Sequence, residues 1–314
     1  MNDSLKEKER IAIQRLKAFA PKDGDKYFGC YSGGKDSDCI RILLELANVP
    51  YELHHNHTTM DAPETVYYIR SIPNVHIDYA YYEDGTPKTI WNLIPRKKLP
   101  PTRIMRWCCS ELKEWGGRGR LKVTGVRYAE SVARSKRSGD VNIIGKQKTT
   151  QKMLEELGLP YAVNNQGGIK MSMDNETARD QADFLHHCYR DRSVQINPIV
   201  DWTDRDVWEF LHHYGCDGNP LYQCGEERIG CVGCPLSGTR QQERDFAKYP
   251  KYRANYVRAF QKMLEVRKAE GRVDRCNWSD GESVMRWWLQ DDTIDGQLSF
   301  FDEGEVLDVL EEMR

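Results

Sequence analysis

Two adjacent glycines between a strand-forming run and a helix-forming run constrain this chain more than any other feature. Lys26-Tyr27-Phe28-Gly29-Cys30-Tyr31 reads as a short strand, Ser32-Gly33-Gly34-Lys35-Asp36-Ser37 follows, and the apolar-rich stretch 38–47 reads as a helix. A strand, a tight glycine turn and a helix let the backbone approach a phosphate closely, because no Cβ intervenes and positive φ is accessible. The helix N-terminus beyond the turn contributes a partial positive charge of roughly half a unit. Lys35 and the hydroxyls of Ser32 and Ser37 add donors. The spacing does not fit the Walker pattern, which needs four residues between its first Gly and a Gly-Lys pair.

The alternation continues along the chain. Strand candidates at 51–57, 75–79, 121–126 and 195–199 are separated by helix candidates at 61–72, 86–94, 109–115 and 177–190. This order predicts an α/β fold, a mostly parallel twisted sheet with helices on both faces. Leu5, Ile11, Ile13, Leu16 and Phe19 among many charges predict an amphipathic helix over 4–20. The polar, Lys-rich stretch 135–176 breaks the rhythm, showing few strand signals around one helix at 149–157, and reads as an insertion or lid. Thr203 as N-cap and Gly215 as terminator bracket a further helix, and the chain from 239 onward reads as helical.

Composition removes several classes of protein. The 46 Lys and Arg against 48 Asp and Glu leave a formal charge of −2, so no global basic field drives nucleic-acid binding, and any polyanion site must be local. No run of 18 apolar residues occurs and the first residues lack the apolar core of a signal peptide, so a cytoplasmic protein with no membrane partner is expected. Ten cysteines in that compartment point to metal or cluster ligation before a disulfide framework.

The 32–37 hexapeptide resembles the pyrophosphate loop of the PP-loop ATP pyrophosphatases and of the adenylyl-sulfate and phosphoadenylyl-sulfate reductases. The resemblance extends over about residues 26–236. The segment Thr58-Thr59-Met60-Asp61-Ala62-Pro63-Glu64-Thr65 is similar to the family stretch after the second strand. Gly125-Val126-Arg127-Tyr128-Ala129-Glu130-Ser131-Val132-Ala133-Arg134 is similar to the family's Gly-x-Arg-x-x-Glu-Ser-x-x-Arg. Asn197-Pro198-Ile199 and Asn219-Pro220-Leu221-Tyr222 complete the set in family order.

The resemblance implies a fold of the adenine nucleotide α-hydrolase (HUP) type and an adenine nucleotide as partner. It implies a nucleotide-binding domain over 26–236, an N-terminal helix over 1–25 and a helical extension over 237–314. The residues it places at the nucleotide are Ser32, Gly33, Gly34, Lys35, Asp36, Ser37, Thr58, Asp61, Gly125, Arg127, Glu130, Ser131 and Arg134. Lys35, Asp36 and Arg127 take catalytic roles. Mg²⁺ would accompany ATP.

Among the cysteines, Cys108-Cys109 and Cys231-Val232-Gly233-Cys234 stand out, with Cys224 shortly before the second pair. A CxxC directs two thiolates onto one centre at a tight turn, and Gly230, Gly233 and Pro235 supply the turn chemistry. Four-thiolate ligation suits Zn²⁺ or an iron–sulfur cluster, and spacing does not choose. Adenylyl-sulfate reductases carry a Cys-Cys pair and a CxxC that hold a 4Fe–4S cluster, and the resemblance favours that group here. Relatives with an Arg-Trp-Cys motif resemble Arg106-Trp107-Cys108 and pair one cysteine with a group such as Cys224, Cys231 and Cys234. Five candidates for four places leave one spectator, Cys109 or Cys224.

Three functions remain open. The first is an enzyme that takes sulfur from an adenylated sulfate, with a sulfur-donor protein or reductant as partner. The family's reductases carry a Glu-Cys-Gly-x-His motif whose Cys attacks sulfur, and this sequence has none. The second is an ATP pyrophosphatase that adenylates a nucleic acid or small molecule for sulfur insertion. The third is a non-catalytic nucleotide or redox sensor. His54, His55, His57, His212 and His213 read as structural, and Trp287-Trp288 as packing for a terminal helix.

Overall fold

The computed structural model describes residues 1–289 apart from 165, 189–192 and 272–277. Contacts divide the chain into two units. The first comprises 1–57, 62–78 and 115–229, and the second 58–61, 79–114 and everything from 230.

The first unit is built on an eight-stranded sheet in the order β3-β2-β1-β4-β8-β5-β7-β6. Its parallel half joins β1 (Tyr27–Cys30), β2 (Tyr51–Asn56), β3 (Val75–Asp78), β4 (Lys122–Val123) and β8 (Ser193–Ile196). All five lie where the alternation of the sequence expects them. In register, Gly29 pairs with Leu53 on one side and Val123 on the other, which puts small and branched side chains in the central layer. Helix α1 (Asp3–Ala18) buries Leu5, Ala12 and Leu16, and α2 (Lys35–Ala47) buries Cys39, Ile40, Leu43 and Leu44. These side chains share one core cluster with Val207, Phe210 and Leu211 of α9 (Asp204–His213). The α2 helix ends on Asn48, whose φ of 51° is the left-handed stop a short polar side chain tolerates.

Residues 135–176 extend the sheet, and here the sequence reading is corrected. After α6 (Val132–Arg137) the chain forms β5 (Val141–Ile144), α7 (Gln147–Glu156), β6 (Ala162–Val163) and β7 (Ile169–Met171). Strand β5 pairs antiparallel with β8 and β7, and β7 with β6. Their few apolar residues are set among Lys, Asn and Gly, so no strand signal stands out.

The second unit is helical. Helices α4 (Ile90–Lys97), α5 (Trp107–Leu112), α11 (Thr239–Lys248), α12 (Pro250–Ala269) and α13 (Gly281–Trp288) follow one another in it. Tyr256 of α12 is its hub, with ring centroids 5.0 Å from Trp91, 5.7 Å from Phe246 and 4.9 Å from Trp288. Of the two tryptophans expected to pack, Trp288 is buried and Trp287 is half-buried with its ring 5.0 Å from that of Trp278. Gly281 lets α13 approach α12, because a Cβ there would stand 2.3 Å from the Val257 carbonyl oxygen. Cys276 lies outside the described residues. Among the described residues no helix is long and apolar enough to cross a membrane.

Candidate functional site

In the first unit the glycine turn connects β1 to α2 as the sequence predicts. Gly33 has a φ of 72°, and a Cβ there would lie 2.8 Å from Ile69, so both backbone and packing demand glycine. The turn is held from three sides. Buried Asn219 donates from Nδ2 to the Gly33 carbonyl (3.1 Å) and to Thr65 Oγ1 (3.0 Å). Tyr222 Oη accepts the Lys35 N–H at 2.9 Å. Ser37 Oγ donates to the Gly34 carbonyl (2.7 Å) and accepts the Gly34 N–H (3.1 Å), with Ser32 Oγ 3.4 Å away. Lys35 is 8 % exposed; its Nζ lies 3.4 Å from Asp204 Oδ1 and 5.8 Å from the centroid of the Tyr222 ring.

Beneath the loop lies Asp38, fully buried, which accepts from Tyr31 Oη (2.6 Å) and Tyr68 Oη (3.0 Å). Burial raises its pKa, and the two tyrosine hydrogen bonds oppose the rise.

Arg127 faces inward, only 2 % exposed. Its Nε donates to Asp36 Oδ1 (2.6 Å), Nη1 to the Trp202 carbonyl (3.2 Å) and Nη2 to Asp204 Oδ1 (2.9 Å). Every guanidinium nitrogen already has a protein acceptor, so the side chain is a strut fixing Asp36 and Asp204. These bonds use three of the five N–H groups of the guanidinium. Gly125 serves the same joint, since a Cβ would come within 2.9 Å of Asp36 Cβ and 3.0 Å of its carbonyl carbon.

The remaining motif residues hold one another. Glu130 accepts the Arg127 N–H (3.2 Å) and pairs with Arg134 Nε (3.1 Å), while Ser131 caps α6 by accepting the Arg134 N–H (3.2 Å). Asp204 carries the joint and Tyr31 and Tyr68 hold Asp38, yet all three escape sequence reading. An acidic residue in the first turn of α9 looks like ordinary helix capping, and its partners are remote in sequence.

Thr58 and Asp61 belong to the second unit, with four of the five candidate cysteines. The Thr58 N–H donates to Asp61 Oδ2 (2.9 Å), Thr58 Oγ1 lies 3.6 Å from Cys231 Sγ, and Asp61 forms a β-bridge with Cys231. Cys234 closes a turn onto the Cys231 carbonyl (3.2 Å). In that turn Gly233 donates its N–H to Asp245 (2.8 Å) and its carbonyl accepts from Gln242 Nε2 (3.2 Å).

Cys108 and Cys109 occupy the first turn of α5. The Cys108 thiol is raised, first by its hydrogen bond to Cys109 and then by burial and the neighbouring Cys109, Cys231 and Cys234. Cys109 is lowered to about 6 by that same hydrogen bond, against burial, with help from Arg106, whose Nη2 is 3.5 Å away. Burial pushes Cys231 up to about 11 against the pull of Lys113. The Lys113 ammonium is itself held protonated, chiefly by Cys231 and, against burial, by Asp61, Cys109 and Cys234. Cys108 thus feels the other three thiols, and the Lys113 ammonium feels Cys109, Cys231 and Cys234. Cys224 belongs to the first unit, where it is exposed at the end of α10 (Pro220–Gln223).

The family model of the phosphoadenosine phosphosulfate reductase domain matches residues 26–237. The chain belongs to that family. Among curated relatives, an uncharacterised protein of Methanocaldococcus jannaschii is 20 % identical over 290 residues, 91 % of this chain and 57 % of that protein. A phosphoadenosine 5'-phosphosulfate reductase of Xylella fastidiosa is 49 % identical over 43 residues, 14 % of this chain and 18 % of that enzyme. The chain thus spans little more than half of the first relative and under a fifth of the second. A solved phosphoadenylyl-sulfate reductase from Candida auris aligns over 74 % of this chain and 96 % of its own, at 14 % identity and a TM-score of 0.40.

Proposed function

We propose that this member of the phosphoadenosine phosphosulfate reductase family binds an adenine nucleotide at residues 32–37 and acts on its phosphate chain in sulfur metabolism or transfer. The observation that carries the reading is the loop itself: a turn that requires glycine at Gly33, opening the N-terminus of α2 with Lys35 packed beside it. A helix N-terminus favours bound phosphate, and the Lys35 ammonium neutralises charge that develops on a leaving phosphate. Asp36, fixed through Oδ1 by Arg127, is the carboxylate that would meet Mg²⁺ brought in with ATP. Arg127 acts here by positioning.

The four-cysteine neighbourhood fits a 4Fe–4S cluster held by Cys108, Cys109, Cys231 and Cys234. Four sulfurs, Cys108 feeling the other three, match the donor set, and Lys113 and Arg106 beside them offset the negative charge of four thiolates. When bound, such a cluster supplies a redox-active iron centre.

Two assays divide the chemistry. Pyrophosphate released from ATP identifies an ATP pyrophosphatase, and sulfite released from adenylyl or phosphoadenylyl sulfate with a thiol identifies a reductase. Lys35→Ala is expected to weaken nucleotide binding about tenfold, the loss of one charge-assisted contact worth about 1.4 kcal/mol. Tight nucleotide binding with neither product would leave a sensor and overturn the enzymatic reading. For the cluster, anaerobically purified protein should contain about four irons per chain and absorb in the visible, and Cys231→Ser should abolish both while Cys224→Ser leaves them. One zinc per chain and no iron would overturn the assignment.

A further inference from the structure

We infer that the surface built by α6, the turn between β5 and α7, and the β6–β7 hairpin binds the phosphate backbone of a nucleic acid. Residues 131–173 carry seven Lys and Arg against three Asp and Glu, in a chain whose formal charge is −2. Of those three acids, Asp140 is buried and paired with Arg15 at 3.0 Å, so it offsets nothing at the surface. Lys136, Arg137, Lys146, Lys148 and Lys152 are exposed.

The fold gathers these cations. Lys170 Nζ of β7 donates to the Lys136 carbonyl (3.3 Å), and Asn164 donates to the Arg137 carbonyl (3.4 Å). On the other side of the same hairpin turn, a Cβ on Gly167 would stand 2.7 Å from Gln147 Oε1 at the start of α7. One turn therefore touches both the end of α6 and the beginning of α7, and brings their cations onto one surface.

Some exposed cations are paired, as Lys6 is with Asp3, Lys22 with Asp183 and Arg10 with Glu7, and on this surface Lys152 with Glu156 and Arg134 with Glu130. Among the described residues, Lys136, Arg137, Lys148 and Lys170 meet no carboxylate. Like charges held together without counter-charges repel, and a polyanion relieves that repulsion while releasing its own condensed ions. The large apolar side chains exposed there, Val132, Ile144, Leu157 and Val163, are spread over α6, β5, the end of α7 and β6. Tyr161 is the one aromatic residue of the stretch, so no series of rings on which successive bases could stack is present. The surface reads phosphates and not base sequence.

Fluorescence anisotropy on the full chain, with labelled duplexes of about 20 base pairs in one RNA and one DNA arm across a salt series, tests this. The wild type should bind at least one polymer at low salt, independently of sequence, and the arm that binds identifies it. The triple variant Lys136→Ala, Arg137→Ala, Lys148→Ala should bind at least tenfold more weakly, and its log–log salt slope should fall by about 2–3, from about 0.9 per phosphate contact. No binding to either duplex, or equal binding by the variant, overturns the inference. The inference goes beyond the nucleotide loop, and the same variant should bind adenine nucleotide unchanged, so failure of either reading shows separately.

Discussion

Gly233→Ala is expected to lower stability by about 3 kcal/mol, the sum of a strained backbone and a blocked ring. Gly233 has a φ of 70°, where a Cβ costs about 1–2 kcal/mol. That Cβ would also lie 2.3 Å from Phe246 Cζ and 2.8 Å from Cε1. Phe246 is 4 % exposed and wedged against Tyr256 and Trp288, at 5.7 and 6.2 Å between centroids, so its ring has nowhere cheap to go. Overpacking of that kind costs about 1–3 kcal/mol. Gly85→Ala is the control in the same unit, with a φ of 80° and nothing within 4 Å of its Cβ, so it should show the backbone cost alone. Urea denaturation of both variants measures the difference, and adding Phe246→Leu to Gly233→Ala should recover part of it. Equal losses in the two single variants would refute the ring argument. Because Gly233 shapes the turn between Cys231 and Cys234, its alanine variant should also hold less metal.

Gly33 could be read from the sequence because the requirement is local: a strand run, a helix run and no room for a side chain between them. The five parallel strands were legible from their place in the alternation of strand and helix along the chain. Strands β5, β6 and β7 were not, since Val141 and Ile143 make only two buried steps of alternation before the chain turns polar. Arg127 shows a different limit. Its motif announces a cation at a strand end, but whether a guanidinium faces a ligand or the interior depends on acceptors as remote as Trp202 and Asp204. The cysteines show a third. Spacing places Cys224 beside Cys231 and leaves Cys108 and Cys109 far away, whereas folding joins the distant pair to the CxxC and leaves Cys224 exposed in the other unit. The second unit is assembled from three separated stretches, and no shift in composition marks their ends.

Arg127→Met should cost about 3 kcal/mol, the low end for breaking a buried ion pair, because both carboxylates it releases can reach water. The Asp36 and Asp204 side chains are 26 % and 65 % exposed, against 2 % for Arg127. Arg127→Lys should recover little, since a point charge cannot serve two carboxylates and the Trp202 carbonyl from one planar fork. The loss should also depend on pH. Burial raises the Asp204 pKa, but the Arg127 hydrogen bond and charge, with Lys35, bring it below the usual aspartate value overall. A carboxyl lowered in the folded state stabilises the fold above its unfolded pKa, and that contribution disappears as pH falls through the lowered value. The stability gap between wild type and Arg127→Met should therefore be full at neutral pH and narrow in acid, as paired denaturation curves would record. A gap constant from pH 7 to about pH 3 would refute the Asp204 coupling. The same substitution removes the cation between Asp36 and Asp204 and leaves two carboxylates free to compete with phosphate for Lys35. Nucleotide affinity should consequently fall about tenfold, and Arg127→Met combined with Asp204→Asn should restore part of it by removing one competitor.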